Sequence, residues 1–210
     1  LRPILAGDLG MTAQLLLMGA LLIGFGIKIP LFPFHTWLPD AHTEASTPVS
    51  VLLAGVLLKL GTYGLLRFCL GLFPEAWQVA APWLAAWAAI SVLYGSLAAI
   101  AQTDMKRMVA YSSVGHMGYV LLAAAAATPL GLMGALFQMV SHGLISGVLF
   151  LLVGVVYART GTRDLNVLRG LLNPQRGLPL TGSLMIIGVM ASAGIPGICL
   201  LYTSPSPRDP

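Results

Sequence analysis

Charged side chains are scarce in this sequence of 210 residues, since Asp, Glu, Lys and Arg together make up 9% of it against 57% hydrophobic residues. A soluble domain carries roughly 25% charged residues, so this chain has too few to cover a surface that faces water. No nucleotide-binding glycine loop and no Ser/His/Asp or Cys/His set interrupts the apolar stretches. The composition excludes a soluble globule, a disordered chain and a nucleic-acid binder, and it predicts a protein embedded in a lipid bilayer.

Cysteine is almost as scarce, with only Cys69 and Cys199 present, both in apolar surroundings. A disulfide framework or a thiolate metal site needs more cysteines, at closer spacings. We therefore expect packing roles for both. The polar segment 34–44 matches no standard metal-ligand spacing, and we expect a rigid, hydrogen-bonded turn there rather than a metal site. The side chains that raise the question are His35, Asp40, His42 and Glu44.

Long uncharged stretches take the place of the missing charges. A transmembrane helix needs about 20 mostly apolar residues, and the stretches predict six such spans, with Thr128-Pro129 dividing the longest stretch in two. The spans are 11–34, 47–69, 79–101, 108–127, 131–157 and 179–199. We predict an all-α polytopic transmembrane helix bundle over residues 1–197, followed by an artefactual or disordered tail over 198–210.

Proline breaks the first span. Pro30 and Pro33 each lack a backbone N–H, so the carbonyls of Gly26 and Ile29 lose their usual helical donors. We therefore predict one discontinuous helix at this position. Backbone groups freed in this way are tolerated in a bilayer only beside water or other protein.

Basic residues fall mostly on one side of the predicted bundle. The first, third and fifth connections contain six of them, and the other side has only Arg2 and Arg67. The six are Lys106, Arg107, Arg159, Arg163, Arg169 and Arg176. Because Lys and Arg collect in cytoplasmic loops, we expect this side to face the cytoplasm.

Two lysines lie inside predicted spans, where a charge is costly. Lys59 comes twelve residues after Thr47, roughly 18 Å into its helix at 1.5 Å per residue, close to the middle of the bilayer. Burial favours the neutral form of an amine, so Lys59 is a candidate proton carrier. A static ion pair with a carboxylate outside this chain is the alternative. Lys28 lies beside the proline break, which is typical of transporter ion sites, although a plain kink near the cytoplasmic end would also place it there.

Two histidines lie on polar stripes of otherwise apolar spans: His116 follows Ser112 and Ser113, and His142 has Gln138 and Ser146 one turn away on either side. An imidazole accepts a proton on one nitrogen and releases one from the other, which suits a proton relay. Hydrogen-bonded core histidines and a pair of axial haem ligands are the alternatives.

Four motifs in order resemble the antiporter-like subunits of respiratory complex I. They are 26–45, with its Lys-Ile-Pro-Leu-Phe-Pro-Phe-His-Thr-Trp-Leu-Pro-Asp-Ala-His run, then 57–67, then 104–107 with 110–113, and finally 138–143. The resemblance implies a fragment of a fourteen-helix proton-translocating subunit, with these spans as its seventh to twelfth helices. It also implies a bacterial inner membrane, sister antiporter-like subunits as partners, and NADH, FMN, iron–sulfur clusters and quinone bound elsewhere in the complex.

The same resemblance implies roles for four residues: Lys28 and Lys59 carry protons, and His116 and His142 form the hydrated centre of the relay. The family pairs the lysine of its broken helix with a glutamate on an earlier helix, which this sequence lacks. It also places an acidic residue after the bend that 194–197 resembles, and here the tail follows instead. We expect the chain to serve as a non-redox subunit of a NADH:quinone oxidoreductase and to be inactive alone. A Na⁺(K⁺)/H⁺ antiporter subunit, a membrane-bound hydrogenase subunit, a haem cytochrome and a structural scaffold remain alternatives.

Overall fold

The fold is known from a computed structural model that describes residues 9–173 and 177–193. Within these residues the chain forms seven helices and no strand, which confirms the predicted all-α fold. Five of the helices are long and apolar enough to cross a membrane; α2 and α7 are shorter. The helices are α1 Met11–Lys28, α2 Trp37–Glu44, α3 Thr47–Leu70, α4 Pro74–Ile100, α5 Met105–Ala125, α6 Pro129–Thr160 and α7 Pro179–Ala193.

The sequence fixes several helix ends by local chemistry. Asp104 accepts hydrogen bonds from the backbone N–H groups of Lys106 (2.7 Å) and Arg107 (3.1 Å) and so caps α5. Thr128 caps α6 through the N–H of Gly131 at 3.0 Å. These side chains satisfy N–H groups that have no partner inside the helix. Gly161 ends α6 with a φ of 70°, a left-handed conformation that glycine adopts without strain.

The proline break ends α1 earlier than the predicted span 11–34, at Lys28. Pro30 has no N–H to offer, and the carbonyl of Gly26 accepts instead from the N–H of Leu31 at 3.0 Å. The freed carbonyl of Ile27 accepts from the indole Nε1 of Trp37 at 2.9 Å, at the start of α2. The predicted discontinuous helix is therefore the pair α1 and α2, joined by a non-helical segment over 29–36.

The helix α3 is continuous but not uniformly wound. Residues 53–57 and 65–70 form π-helical turns, one on each side of Leu58–Gly64. A π-turn inserts one extra residue and rotates the following side chains around the helix axis, and such turns are frequent at functional sites. Here the first π-turn directly precedes the α-helical turn that contains Lys59.

The helix α5 lies at the centre of the bundle, with α4 and α6 packed against it. Its contact with α4 is a close approach of two backbones: a Cβ atom added at Gly95 would lie 2.5 Å from the backbone N of Gly115. The contact between α5 and α6 includes a cluster of apolar side chains to which Val109 and Phe150 belong. The central position of α5 places its polar side chains inside the bundle rather than toward lipid.

Polar contacts gather at one end of the bundle, where the first, third and fifth predicted connections meet. The guanidinium of Arg163 lies 3.4 Å from the carboxylate of Asp104 and donates to the carbonyl of Thr43 at 3.3 Å. The ammonium of Lys106, which is buried, donates to the carbonyl of Ala45 at 2.6 Å. The basic side chains of this end therefore tie α2 to α5 and to the segment after α6.

Some expectations fall outside the described residues. The sixth predicted span, 179–199, is described only as far as Ala193, and the bend at 194–197, the tail at 198–210 and Cys199 lie beyond it. The same is true of Arg2 and Arg176. Cys69 is buried in the apolar core.

Candidate functional site

Lys59 is held inside the bundle by α3. Its ammonium donates to the carbonyl of Ala54, in the preceding π-turn, and it lies 2.7 Å from Nδ1 of His142 on α6. The two helices meet here without bulky side chains, since a Cβ added at Gly143 would lie 3.1 Å from the carbonyl oxygen of Gly55. The π-turn and the glycines therefore bring an amine and an imidazole into direct contact.

His142 is 2% exposed and has partners on both ring nitrogens. Its Nε2 lies 3.2 Å from the hydroxyl oxygen of Ser113 on α5, and that hydroxyl lies 3.2 Å from the carbonyl of Val109. An ammonium on Lys59 donates to Nδ1, which leaves the ring proton on Nε2 to be donated to Ser113. The hydroxyl of Ser113 in turn donates to Val109, so one consistent set of donors and acceptors satisfies the whole chain.

His116 lies beside these polar groups. The ring centroids of His116 and His142 are 5.2 Å apart. Nδ1 of His116 lies 3.2 Å from the amide nitrogen of Gln138, and Nε2 lies 2.9 Å from the hydroxyl of Ser192 on α7. Four helices, α3, α5, α6 and α7, thus contribute to one cluster of polar side chains, in which His116 and His142 are neighbours without a direct hydrogen bond. We call Lys59, His142 and His116 the Lys/His relay.

The serine and glutamine partners differ from those that the sequence indicates. Ser113 lies three residues before His116, but it pairs with His142; Gln138 lies four residues before His142, but it pairs with His116. Each histidine therefore binds across the α5–α6 interface rather than along its own helix. Ser192 was missed altogether, because the sequence does not indicate which face of α7 meets α5.

The contacts of the two imidazoles argue against the haem alternative. An axial ligand needs a free ring nitrogen that points at the iron. All four ring nitrogens of His116 and His142 already contact a polar side chain, and the two rings lie side by side, 5.2 Å apart. No haem plane fits between rings this close.

Lys28 lies apart from the relay. It is exposed, and it forms no hydrogen bond or ion pair within the described residues. Its aliphatic stem packs on α3 at Gly61, where an added Cβ would lie 2.9 Å from Cγ of Lys28. Because Gly61 and Lys59 are two residues apart, they face nearly opposite sides of the helix. A role for Lys28 in proton transfer stays a prediction.

The expected hydrogen-bonded turn at 34–44 is wrong for most of the segment, because residues 37–44 form the helix α2. Arg107 pairs with Asp40 at 2.7 Å, and the hydroxyl of Thr43 donates to the carbonyl of Pro39 at 2.7 Å. The imidazoles of His35 and His42 are buried with no hydrogen-bond partner among the described residues. They pack as rings instead: His42 stacks on Phe150 with centroids 4.4 Å apart, and His35 lies edge-on to Tyr94 at 4.6 Å. Within 9–173 and 177–193 no group of three or more His, Cys, Asp or Glu side chains could hold a metal ion.

The pKa of His42 is lowered from 6.5 to about 4, mainly because the ring is buried and in smaller part because Lys106 and Lys59 are positively charged. Burial also lowers the pKa of His35. Both rings are therefore neutral at physiological pH, which agrees with their packing against aromatic rings.

We expect the acid sensitivity of the fold to depend in part on His42. The unfolded chain protonates this ring near pH 6.5 and the folded chain near 4, so acid stabilises the unfolded state. The free energy of unfolding is unaffected by His42 above about pH 6.5, and it decreases as the pH drops from 6.5 toward 4. His42→Phe preserves the stacking on Phe150 and removes this loss, which amounts to about 2 kcal/mol at pH 5. Thermal unfolding in detergent at pH 7 and pH 5 measures it. An equal drop in melting temperature for both proteins would contradict the prediction.

Comparisons with known proteins show the family of this chain. Residues 4–204 match the family described as NADH:quinone oxidoreductase/Mrp antiporter, TM. The chain is 52% identical over 188 residues to NAD(P)H-quinone oxidoreductase chain 4 from Synechococcus sp. (strain JA-3-3Ab), covering 90% of this chain and 35% of the relative. A chain 4 from Synechocystis sp. (strain ATCC 27184 / PCC 6803 / Kazusa) is 50% identical over 191 residues, covering 91% of this chain and 34% of the relative. The chain thus spans about a third of the length of these relatives.

Solved structures give the same result. Respiratory complex I from Thermus thermophilus contains a chain with a TM-score of 0.82 and 37% identity, over 90% of this chain and 40% of that one. The Mrp complex from Dietzia sp. DQ12-45-1b has a TM-score of 0.82 and 27% identity, over 88% and 34%. An archaeal membrane-bound sulfane sulfur reductase has a TM-score of 0.84 and 31% identity, over 92% and 39%. The chain is an integral membrane protein, and it belongs to the transmembrane family that NADH:quinone oxidoreductases and Mrp antiporters share.

Proposed function

We propose that this chain is part of a longer antiporter-like subunit that moves protons across the membrane in a NADH:quinone oxidoreductase. The observation that carries the proposal is the 2.7 Å contact between Lys59 and His142 inside a membrane-spanning bundle. Within the family, the motif at 35–44 is most similar to that of chain M of complex I. Electron transfer occurs in other subunits, and this chain contributes protein groups that bind and release protons.

The relay begins with a direct contact between a proton donor and a proton acceptor, the ammonium of Lys59 and Nδ1 of His142. Lys59 passes a proton to Nδ1 of His142, which releases its own proton from Nε2 on the far side of the ring. The Nε2–H of His142 is donated to the hydroxyl of Ser113, which donates to the carbonyl of Val109, so this chain of direct hydrogen bonds ends there. Transfer on to His116, whose ring centroid lies 5.2 Å from that of His142, passes through water in the hydrated centre of the relay. A change in nearby charge shifts the proton affinity of Lys59 and so drives the transfer in one direction. We assign the roles of proton carriers to Lys59, His142 and His116.

The polar end of the bundle is the proposed proton entrance. A cavity of about 250 Å³ lies there, lined mainly by polar groups of α2, α3 and α6 and by the side chains of Glu44, Lys106 and Arg163. Because basic loops face the cytoplasm, we place this end on the cytoplasmic side of a bacterial inner membrane. Protons enter from the cytoplasm and reach Lys59 through the interior of the bundle.

Lys28 completes the proposed pathway together with parts of the longer subunit. It borders a cavity of about 450 Å³ between α1 and α3, lined by Gly24 and Leu60 among others. A carboxylate from an earlier helix fits this opening, because a lysine at bilayer depth is stabilised by an opposite charge. The outlet carboxylate that the family places after the last bend also lies outside this chain.

The partners follow from the same proposal. The sister antiporter-like subunits and the other membrane subunits of the complex cover the apolar faces of this chain. NADH, FMN, iron–sulfur clusters and quinone bind to other subunits, and this chain binds no redox cofactor.

A cation/proton antiporter subunit is the second candidate, since the fold matches the Mrp complex with a TM-score of 0.82. The Lys/His relay moves protons in either assembly, and only the source of energy differs. Proton uptake by vesicles that contain the complete complex separates the two. We expect uptake that NADH drives in sodium-free buffer; uptake that requires a sodium gradient and not NADH would identify an antiporter.

A variant of His142 tests the relay itself. His142→Gln keeps a hydrogen-bonding side chain but cannot exchange a proton, so we expect proton translocation to fall by about a hundredfold, the lower end of a typical acid–base contribution. Met139→Leu, a volume-conserving change of a buried neighbour on the same helix, serves as the control. Equal translocation rates for the two variants would contradict the relay.

A further inference from the structure

One residue of the proline break, Phe32, is bound on both sides by the helix α4. Its backbone N–H donates to the hydroxyl oxygen of Ser91 at 3.0 Å, and its carbonyl accepts from the indole Nε1 of Trp87. Trp87 and Ser91 are four residues apart, so they lie one above the other on the same face of α4. The two side chains together replace the backbone partners that Phe32 would have inside a helix.

These two hydrogen bonds satisfy what the break cannot satisfy by itself. The carbonyl of Gly26 accepts from Leu31, and the carbonyl of Ile27 accepts from Trp37, so both have donors close by in sequence. Phe32 instead uses side chains from a helix more than fifty residues away in sequence. Water is scarce at this depth, and an unpaired backbone group there is strongly disfavoured. Ser91 is fully buried, which leaves no room for a solvent substitute.

The same indole also contacts the end of α1. A Cβ added at Gly26 would lie 2.8 Å from the ring of Trp87, so the ring rests directly on this glycine. Gly26 is two residues before Lys28, whose stem packs on α3 at Gly61. The side chain of Lys28 therefore lies between α3 and the segment 29–36, and α4 holds that segment in position.

We propose that Trp87 and Ser91 are positioning residues that hold the break in α1–α2 and thereby aim the ammonium of Lys28. The inference rests on the proposed function, because the direction of the Lys28 ammonium matters only if Lys28 takes part in proton transfer. Without the two hydrogen bonds, residues 29–36 adopt other arrangements that satisfy Phe32. The end of α1 moves with them, because it is joined to this segment and its Gly26 rests on the same indole that holds Phe32.

The test compares two tryptophans of α4 in the complete complex. Trp87→Phe removes the indole donor together with the outer ring atoms that rest on Gly26. Trp83→Phe makes the same change one turn earlier, at a residue that is 80% exposed. We expect Trp87→Phe to lower the number of protons moved per electron about threefold or more, because an unsatisfied buried carbonyl disfavours the native arrangement. It should also shift the pH profile of translocation, whereas Trp83→Phe changes neither.

Ser91→Ala provides the second variant, and we expect it to reproduce both effects by removing the acceptor for the Phe32 N–H. Unchanged proton yield and pH profile in both variants, with normal assembly, would overturn the inference. Failure of both to assemble would also overturn it, because the residues would then only support the fold. If Lys59→Ala abolishes translocation while the α4 variants do not alter it, the proposed function stands and only this inference fails.

Discussion

Replacing Lys59 by alanine in the complete complex is expected to abolish most proton translocation while the complex still assembles. The change removes the amine that contacts His142 at 2.7 Å and leaves that imidazole without a proton donor on Nδ1. The loss of a group that takes part directly in proton transfer reduces rates by about a hundredfold or more. Proton uptake by vesicles measures the effect, and co-purification of the variant chain with the other membrane subunits measures assembly.

Arg169→Ala serves as the control for the loss of a positive charge, because this side chain is exposed in the segment after α6. We expect it to translocate protons at the native rate. A Lys59→Ala complex that assembles and translocates like the Arg169→Ala complex would reduce the chain to a structural scaffold.

The second large effect is expected from Gly95→Ala. The added Cβ would lie 2.5 Å from the backbone N of Gly115, and 3.0 Å from its Cα. Backbone atoms of a packed helix cannot turn aside as a side chain does, so α4 and α5 must separate. Forcing an extra carbon into a close-packed contact costs about 1–3 kcal/mol, and the cost is at the upper end here because both contacts are with backbone. The melting temperature in detergent should drop clearly.

Gly134→Ala is the matched control within α6, since nothing lies within 4 Å of a Cβ added there. Alanine favours a helix over glycine by up to about 1 kcal/mol, so the melting temperature should stay constant or rise slightly. A similar drop for both variants would show that the α4–α5 contact does not limit the packing of the bundle.

The sequence was sufficient to predict the long apolar helices and the break, but not the short helix α2, where a turn was expected. Long uncharged stretches require helices in a bilayer, since backbone groups need partners within the same segment. Proline removes a donor wherever it occurs, so Pro30 and Pro33 locate the break without a structure. The end of α1 at Lys28 was predicted too late, at 34, because hydrophobicity continues through the non-helical segment.

The partners in the site could not be predicted in the same way. Helical spacing tells which residues share a face, but it does not tell which faces of two helices meet. Ser113 and Gln138 therefore looked like neighbours of the histidine on their own helix, whereas they bind the histidine on the other. The same limit applies to Lys28: its position beside the break does not predict that it packs on the side of α3 opposite to Lys59. The π-turns of α3 rotate the following residues around the helix axis, and no residue type in 53–57 predicts a π-turn.

The most direct test of the account is the number of protons moved per electron by the complete complex with Lys59→Arg. Arginine keeps the positive charge and the long stem, but its guanidinium does not release a proton at any physiological pH. If Lys59 acts by exchanging protons with His142, the variant assembles and transfers electrons to a water-soluble acceptor, yet its proton yield falls as far as that of Lys59→Ala. A native proton yield from Lys59→Arg would mean that the position supplies only a fixed charge, and the Lys/His relay would be wrong.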